Sequence, residues 1–282
     1  MLYGRVGRPG KRRSLGCSGT PTSLTLALSQ RERGQWQPMN LLLLHDEDFQ
    51  ADGSVCLSGR RALHAREVLK AQPGEALRVG RLRGLIGSGE VLESAPGVLR
   101  LRVTLSETPP PRAGIDLLLA IPRPKALKKV LPAVASLGVG RVVLVNAARV
   151  ERSYFDSKVL ADDFVNELLL QGLEQARDTV PPEVLVRERF RPFVEDELET
   201  LFGPVQSAAR LLPHPPATQG LGALGPLPER RVLAIGPDGG WVPFEVELLQ
   251  AHGFRPFSLG PRILRVETAV PVLLGQMALL RT

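Results

Sequence analysis

Residues 108–114 read Thr-Pro-Pro-Pro-Arg-Ala-Gly, and the hydrophobic period of the chain differs on the two sides of them. Three successive prolines fix φ and remove amide donors, so neither a helix nor a central strand runs through this stretch. Upstream lie a short apolar strand at Leu41 to Leu44, a helix over "SGRRALHAREVLKAQPGE", and strands punctuated by glycine: "ALRVG", "LIGSGEVLE" and "VLRLRVTLSE". The last alternates strictly between apolar and polar residues, the pattern of a half-buried antiparallel strand. That spacing predicts a small β-barrel with one inserted helix, ending near Glu107. Downstream, strands alternate with helices. "IDLLLAI", "RVVLVNA", "EVLV", "SAARLLP", "RVLAIG" and "PFSL" read as strands, and a final helix runs to Leu280. This alternation predicts an α/β domain with a mainly parallel sheet. The expected organisation is a barrel over 39–110 and an α/β domain over 111–282.

The formal charge of +7 over 282 residues suggests nucleic acid as a partner, but its distribution matters more. Residues 1–38 carry seven Lys or Arg against one Glu, while the rest of the chain holds 29 bases against 28 acids. Basic surface in the folded part must therefore be local. The segment 1–38 has no amphipathic period and no signal-peptide pattern, and a second methionine, Met39, opens the strand-like "NLLLL". It is expected to be disordered and to reflect an over-extended gene start; a basic RNA-binding arm is the alternative. Cys17 and Cys56 cannot build a disulfide framework, which fits a cytoplasmic protein. No apolar run approaches the roughly 20 residues of a membrane span. His45, His64, His214 and His252 show no metal-binding spacing, so no metal site is expected.

Ligands of α/β sheets bind beyond the carboxyl ends of the strands. Two late loops there begin alike: "IGPDGGW" at 235–241 and "LGPRILRVETA" at 259–269. Either alone reads as a Gly-Pro turn. Together, with Ile263 and Leu264 in the second, they suggest a site for a flat aromatic ring whose edge is read by backbone groups. No GxGxxG and no Walker lysine is present, which argues against a dehydrogenase or kinase.

These paired motifs resemble those of the bacterial 16S rRNA (uracil-N3)-methyltransferases, RsmE-type members of the SPOUT superfamily. "HAREVLK", "RPKALKK", "SLGV" and "EQARDTVPPEV" fall in the order that the resemblance requires, over Met39 to Thr282. Three positions depart from the family pattern. Asp238 stands for a Glu, Ser136 for a Glu, and Val242 for the Ser that caps the following helix; the last two are expected to cost local stability. The resemblance implies an N-terminal PUA-like or OB-like barrel, a C-terminal domain with a trefoil knot, and a homodimer with S-adenosyl-L-methionine at its interface. Its substrate is 16S rRNA of the small ribosomal subunit, methylated at N3 of a uridine. A non-catalytic RNA-binding protein with a degenerate methyltransferase domain is the alternative.

Mapped onto this sequence, the cofactor site would take Ile235, Gly236, Pro237, Gly239 and Gly240 from the first loop. The second would contribute Leu259, Gly260, Ile263 and Leu264, and an earlier strand Leu212 and His214. The missing lysine suits a cationic sulfonium. Asp238 either favours that cation or stabilises its own turn. His214 either flanks the adenosyl group or is a plain loop residue, and Trp241 is expected to pack beneath its loop. Arg265 is the candidate electrophile or phosphate clamp. Glu267 is a possible proton acceptor, with an ion pair or a cap of the final helix as the stronger alternative; Thr268 reads as the N-cap of that helix. RNA would follow Arg60, Arg61, Arg66 and Arg81 in the barrel and Arg123, Lys125 and Lys128 in the α/β domain.

Overall fold

A computed structural model describes residues 41–67 and 69–280, within a unit spanning Gln37–Thr282. The expectations for 1–38, and the side chain of Arg60, lie outside the described residues.

The first lobe is a curled five-stranded sheet. Its strands are β1 (Leu42–Leu44), β2 (Ser54–Ser58), β3 (Ala76–Arg81), β4 (Ile86–Ala95) and β5 (Val98–Glu107), with helix α1 (Gly59–Glu67) after β2. The order is β1-β3-β4-β5-β2, with only the β1–β3 pair parallel. The alternation of β5 does what its period requires. Leu99 and Leu101 are fully buried against Val55, Leu57, Ala62 and Ala65, while Arg100 and Arg102 face outward.

The second lobe is a six-stranded sheet, all parallel, in the order β11-β9-β10-β6-β7-β8. Its elements run β6 (Ile115–Ala120), α2 (Pro124–Ser136), β7 (Arg141–Val145), α3 (Asp162–Ala176), β8 (Glu183–Arg187) and a helical segment α4 over 190–202, whose middle, Phe193–Glu197, is a π-helix. Then follow β9 (Ala209–Pro213), β10 (Arg231–Ile235), α5 (Pro243–Ala251), β11 (Arg255–Phe257) and α6 (Val266–Leu279). From β6 the chain moves outward through β7 to β8; it then crosses to the other half, and β10 enters between β9 and β6. Successive residues of β10 feed opposite faces: Leu233 and Ile235 join one core, Val232 and Ala234 the other. A strand covered on both faces reads as a continuous apolar run, which is why "VLAI" shows no alternation.

Helices α2 and α3 approach closely because Gly172 has no side chain; a Cβ there would lie 2.2 Å from the Pro132 carbonyl oxygen. Ser136 donates to the Gly172 carbonyl at 2.9 Å, so the residue that departs from the family pattern has a local structural role.

The lobes share a core and a seam. Leu41, Leu43 and Ile86 pack in the same cluster as Leu117, Leu131 and Leu173. Between them runs "Asp178-Thr179-Val180". The Arg83 amide donates to the Thr179 carbonyl (2.7 Å), and the Thr179 hydroxyl to the Gly84 carbonyl (2.6 Å). Arg112, from the proline-rich stretch, donates to Asp178 (2.9 Å) and to the Val180 carbonyl (2.6 Å).

Candidate functional site

A cavity of about 320 Å³ opens beyond the carboxyl ends of β9, β10 and β11, near the lower end of the usual range for small-molecule sites. The sheet order explains its walls. Strands β11, β9 and β10 are neighbours, so the segments that leave them stand side by side. Pro213 ends β9 and His214 follows it, 236–241 follows β10, and Leu259, Gly260 and 262–264 follow β11; Val266, Ala269 and Leu273 of α6 complete the apolar side.

The first loop turns tightly, with the Gly240 amide donating to the Pro237 carbonyl at 2.7 Å. Gly240 has φ +72°, a conformation that side chains disfavour. At Gly236 a Cβ would come within 3.0 Å of the Trp241 backbone nitrogen, so this glycine lets the loop fold on itself. Trp241 is buried, its ring 5.3 Å from that of Phe190, and its indole Nε1 has no hydrogen-bond partner among the described residues.

Val242 supplies no capping side chain, and Glu245 supplies the carboxylate half of a capping box. Its Oε2 accepts from the Val242 amide at 2.9 Å, and its Oε1 accepts from the Ala148 amide at 2.7 Å, so one buried carboxylate caps α5 and anchors the loop that follows β7. A capping Ser would accept from an amide of the first turn, a different bond from the one Glu245 makes, and Val242 leaves it unmade.

From the anchored loop Arg149 reaches across the site and lines the cavity, its guanidinium donating to the Gly239 carbonyl. Asp238 of the same glycine loop pairs with Arg123, 3.3 Å away at the start of α2. Nearby, burial first, and then a hydrogen bond to Glu151, push the Tyr154 phenol above its ordinary pKa.

On the other wall the His214 amide donates to the Phe257 carbonyl at 2.8 Å, tying β9 to β11. Burial depresses the His214 pKa, which favours the neutral imidazole. Ile263 is 82% exposed.

Most of the sequence-selected loop residues therefore line one cavity; four features sit elsewhere. Leu212 is fully buried in the core on the opposite face, with Val232 and Phe254. Alternation along β9 turns it inward, and the strand reaches the cavity only at Pro213. Arg265 is exposed and sits at the N-cap of α6, outside the cavity lining. Thr268 is not the cap, because the helix already starts at Val266. Glu267 is also outside the lining, and its Oε2 is buried without a hydrogen-bond partner among the described residues.

The basic residues divide into two groups. Arg61 makes two 2.6 Å contacts with the buried Asp48, and Arg81 pairs with Asp46 at 2.9 Å. Lys128 lies 5.1 Å from the centre of the Phe164 ring, whereas Arg66 and Lys125 are exposed. Arg149 was not among the residues chosen from sequence. The signal was present: "NAARV" stands at the carboxyl end of an apolar strand, where the rule applied to the two later loops also holds.

The parallel sheet and the cavity at its carboxyl edge define an α/β ligand-binding protein with an appended curled sheet. Residues 109–278 match the family described as an RNA methyltransferase domain. The chain is 31% identical over 234 residues to ribosomal RNA small subunit methyltransferase E of Treponema pallidum (strain Nichols), covering 82% of this chain and 87% of that one. It is 27% identical over 261 residues to the protein of the same name from a Synechocystis species, covering 92% and 83%. In fold it is similar to a ribosomal RNA small subunit methyltransferase E from Neisseria gonorrhoeae, crystallised bound to S-adenosyl methionine. The TM-score is 0.70 at 20% identity, with 86% and 98% of the two chains covered. The chain belongs to the RNA methyltransferase family that contains the small subunit methyltransferase E proteins.

Proposed function

We propose that the protein is an S-adenosylmethionine-dependent rRNA methyltransferase that forms 3-methyluridine in 16S rRNA. The observation that carries this reading is the single cavity walled by both Gly-Pro loops. The residues suit the cofactor. Ile235, Leu259, Leu264 and Leu273 offer apolar surface for an adenine ring, and Gly240 leaves main-chain groups open to close approach. Trp241 holds an unused N–H in the cavity wall. Neutral His214 adds no positive charge beside a sulfonium.

When bound, the cofactor supplies an electrophilic methyl group. The work of the chain is to hold the reacting atoms in line and to control charge. Uridine N3 lies on the Watson–Crick edge, so the base enters unpaired or flipped. Arg66 and Lys125 are free to meet the RNA backbone.

We further read residues 39–110 as a PUA-like RNA-binding barrel and 111–282 as a SPOUT domain with a trefoil knot, working as a homodimer on the small ribosomal subunit in the cytoplasm. Insertion of β10 between β9 and β6 supports the knotted reading. Ile263 and Leu279, 82% and 84% exposed, support a partner subunit against α6. Mass mapping of 16S rRNA nucleosides from a deletion strain tests the activity. Loss of a single 3-methyluridine, restored by the wild-type gene, is expected, and an unchanged nucleoside map would overturn the reading.

A further inference from the structure

We propose that Arg149 is the guanidinium that holds the target uracil, through the carbonyl oxygen that becomes anionic when N3 loses its proton. This rests on the methyltransferase reading above, and it moves the role expected for Arg265 to another strand of the sheet.

The first support is position. Arg149 follows β7, two strands from β10, and it reaches the cavity mouth from the side opposite to the loops after β9 and β11. A ligand held by those two loops therefore has Arg149 on its open side.

The second is rigidity. The backbone beneath Arg149 is pinned where the Ala148 amide meets buried Glu245, whose other oxygen caps α5. The side chain then lies along Gly239. A Cβ on that glycine would sit 3.0 Å from Arg149 Cδ, and the guanidinium donates to the Gly239 carbonyl. Arm and loop are thus fixed to one another before any ligand arrives, as an effective electrostatic catalyst requires.

The third is spare capacity. A guanidinium carries five N–H donors, and Arg149 is exposed and forms no ion pair among the described residues. The neighbouring cation, Arg123, is already balanced by Asp238. Arg262 also lines the cavity, but no hydrogen bond among the described residues fixes its side chain.

The chemistry asks for such a group. The N3–H bond breaks, its proton passes to water at the mouth, and its electron pair forms the N3–CH3 bond. The sulfonium sulfur keeps the pair of the broken S–CH3 bond and leaves as a neutral thioether. Charge grows on the uracil carbonyl oxygens before the methyl arrives, and Arg149 stabilises it there.

The test uses full-length protein, S-adenosylmethionine, and small ribosomal subunits from a deletion strain. Arg149→Ala should slow single-turnover methylation by about a hundred- to a thousand-fold. The log of its rate should keep rising with pH beyond the point where the wild type levels off, and added guanidinium ion should restore part of the rate. Calorimetric affinity for S-adenosylmethionine and the salt dependence of subunit binding should stay as in the wild type. Tenfold weaker cofactor binding would assign Arg149 to the cofactor carboxylate instead. A salt slope lower by about one would make it a phosphate contact. An unchanged rate, or a slow variant that guanidinium does not rescue, would leave it no role on the uracil. Each outcome sinks the proposal while wild-type methylation leaves the proposed function standing; an inactive wild type overturns both.

Discussion

The Glu245 carboxylate lies 2.7 Å from the Ala148 amide, joining positions 97 residues apart in the sequence. Its second oxygen caps α5 at Val242. Two of the four strand-end segments that wall the cavity, those after β7 and β10, are therefore joined by one buried acid. Glu245→Ala leaves two amides without acceptors, and its expected cost is about 1–3 kcal/mol. Glu245→Gln keeps one acceptor oxygen and should cost less. Urea unfolding measures both; equal stability of wild type and Glu245→Ala would remove the anchor from the account.

The basic residues expected to meet RNA should separate by what they touch. Arg61→Ala takes the charge partner from Asp48, which is 4% exposed and keeps only the His45 amide among the described residues, and should destabilise the protein by about 3 kcal/mol. Lys125→Glu alters an exposed side chain, so it should leave the melting temperature unchanged and weaken rRNA binding with a flatter salt dependence. A stable Arg61→Ala that loses RNA affinity would reverse the assignment.

The architecture was legible from sequence because it is written in local periods. The strict alternation of 98–105 and the unbroken apolar run of 232–235 each report which faces are covered. The two Gly-Pro loops were legible because strand-end glycines mark places where backbone meets ligand. Leu212 was misplaced because choosing a residue near a strand end ignores the two-residue alternation that turns it inward. The Glu245 anchor and the Arg61–Asp48 pair depend on side chains brought together by tertiary packing, and no spacing rule encodes them. Arg149 carried half a signal: its place at the carboxyl end of an apolar strand is local, but which strand lies beside β6 is not.

The half-buried imidazole of His214 makes a pH prediction. Its folded pKa lies below the ordinary 6.5, so under mildly acidic conditions the unfolded chain binds the proton first. The stabilising effect of the neutral form is full above 6.5 and is lost as pH falls toward the depressed folded value. His214→Asn should therefore flatten the pH dependence of melting below 6.5 while leaving the alkaline side alone. Thermal melts across that window, wild type against variant, check it; parallel curves would mean that His214 does not titrate in this range.

The glycine loop gives the most direct test of the cavity, because its three glycines should fail in three different ways. At Gly236 a Cβ meets the Trp241 backbone at 3.0 Å, so Gly236→Ala should damage the fold itself. At Gly240 there is open space but φ is +72°, so Gly240→Ala should cost about 1 kcal/mol through backbone strain. Gly239 has no positive φ, and its Cβ would meet only the Arg149 side chain, 3.0 Å from Cδ, which can shift without moving backbone at the expense of its bond to the Gly239 carbonyl. Gly239→Val should then spare stability and still lose the ligand. Ile263→Asp is the matching variant on the second loop, changing a residue 82% exposed within one chain; its oligomeric state is measured alongside, because the proposed partner subunit would cover it. A ligand that binds only the folded state adds about 2.7 kcal/mol of stability at a hundred times its dissociation constant. Wild-type protein should show that rise in melting temperature with S-adenosylmethionine, and both Gly239→Val and Ile263→Asp should show little of it. If both keep the full rise, the loops after β10 and β11 do not hold one ligand between them.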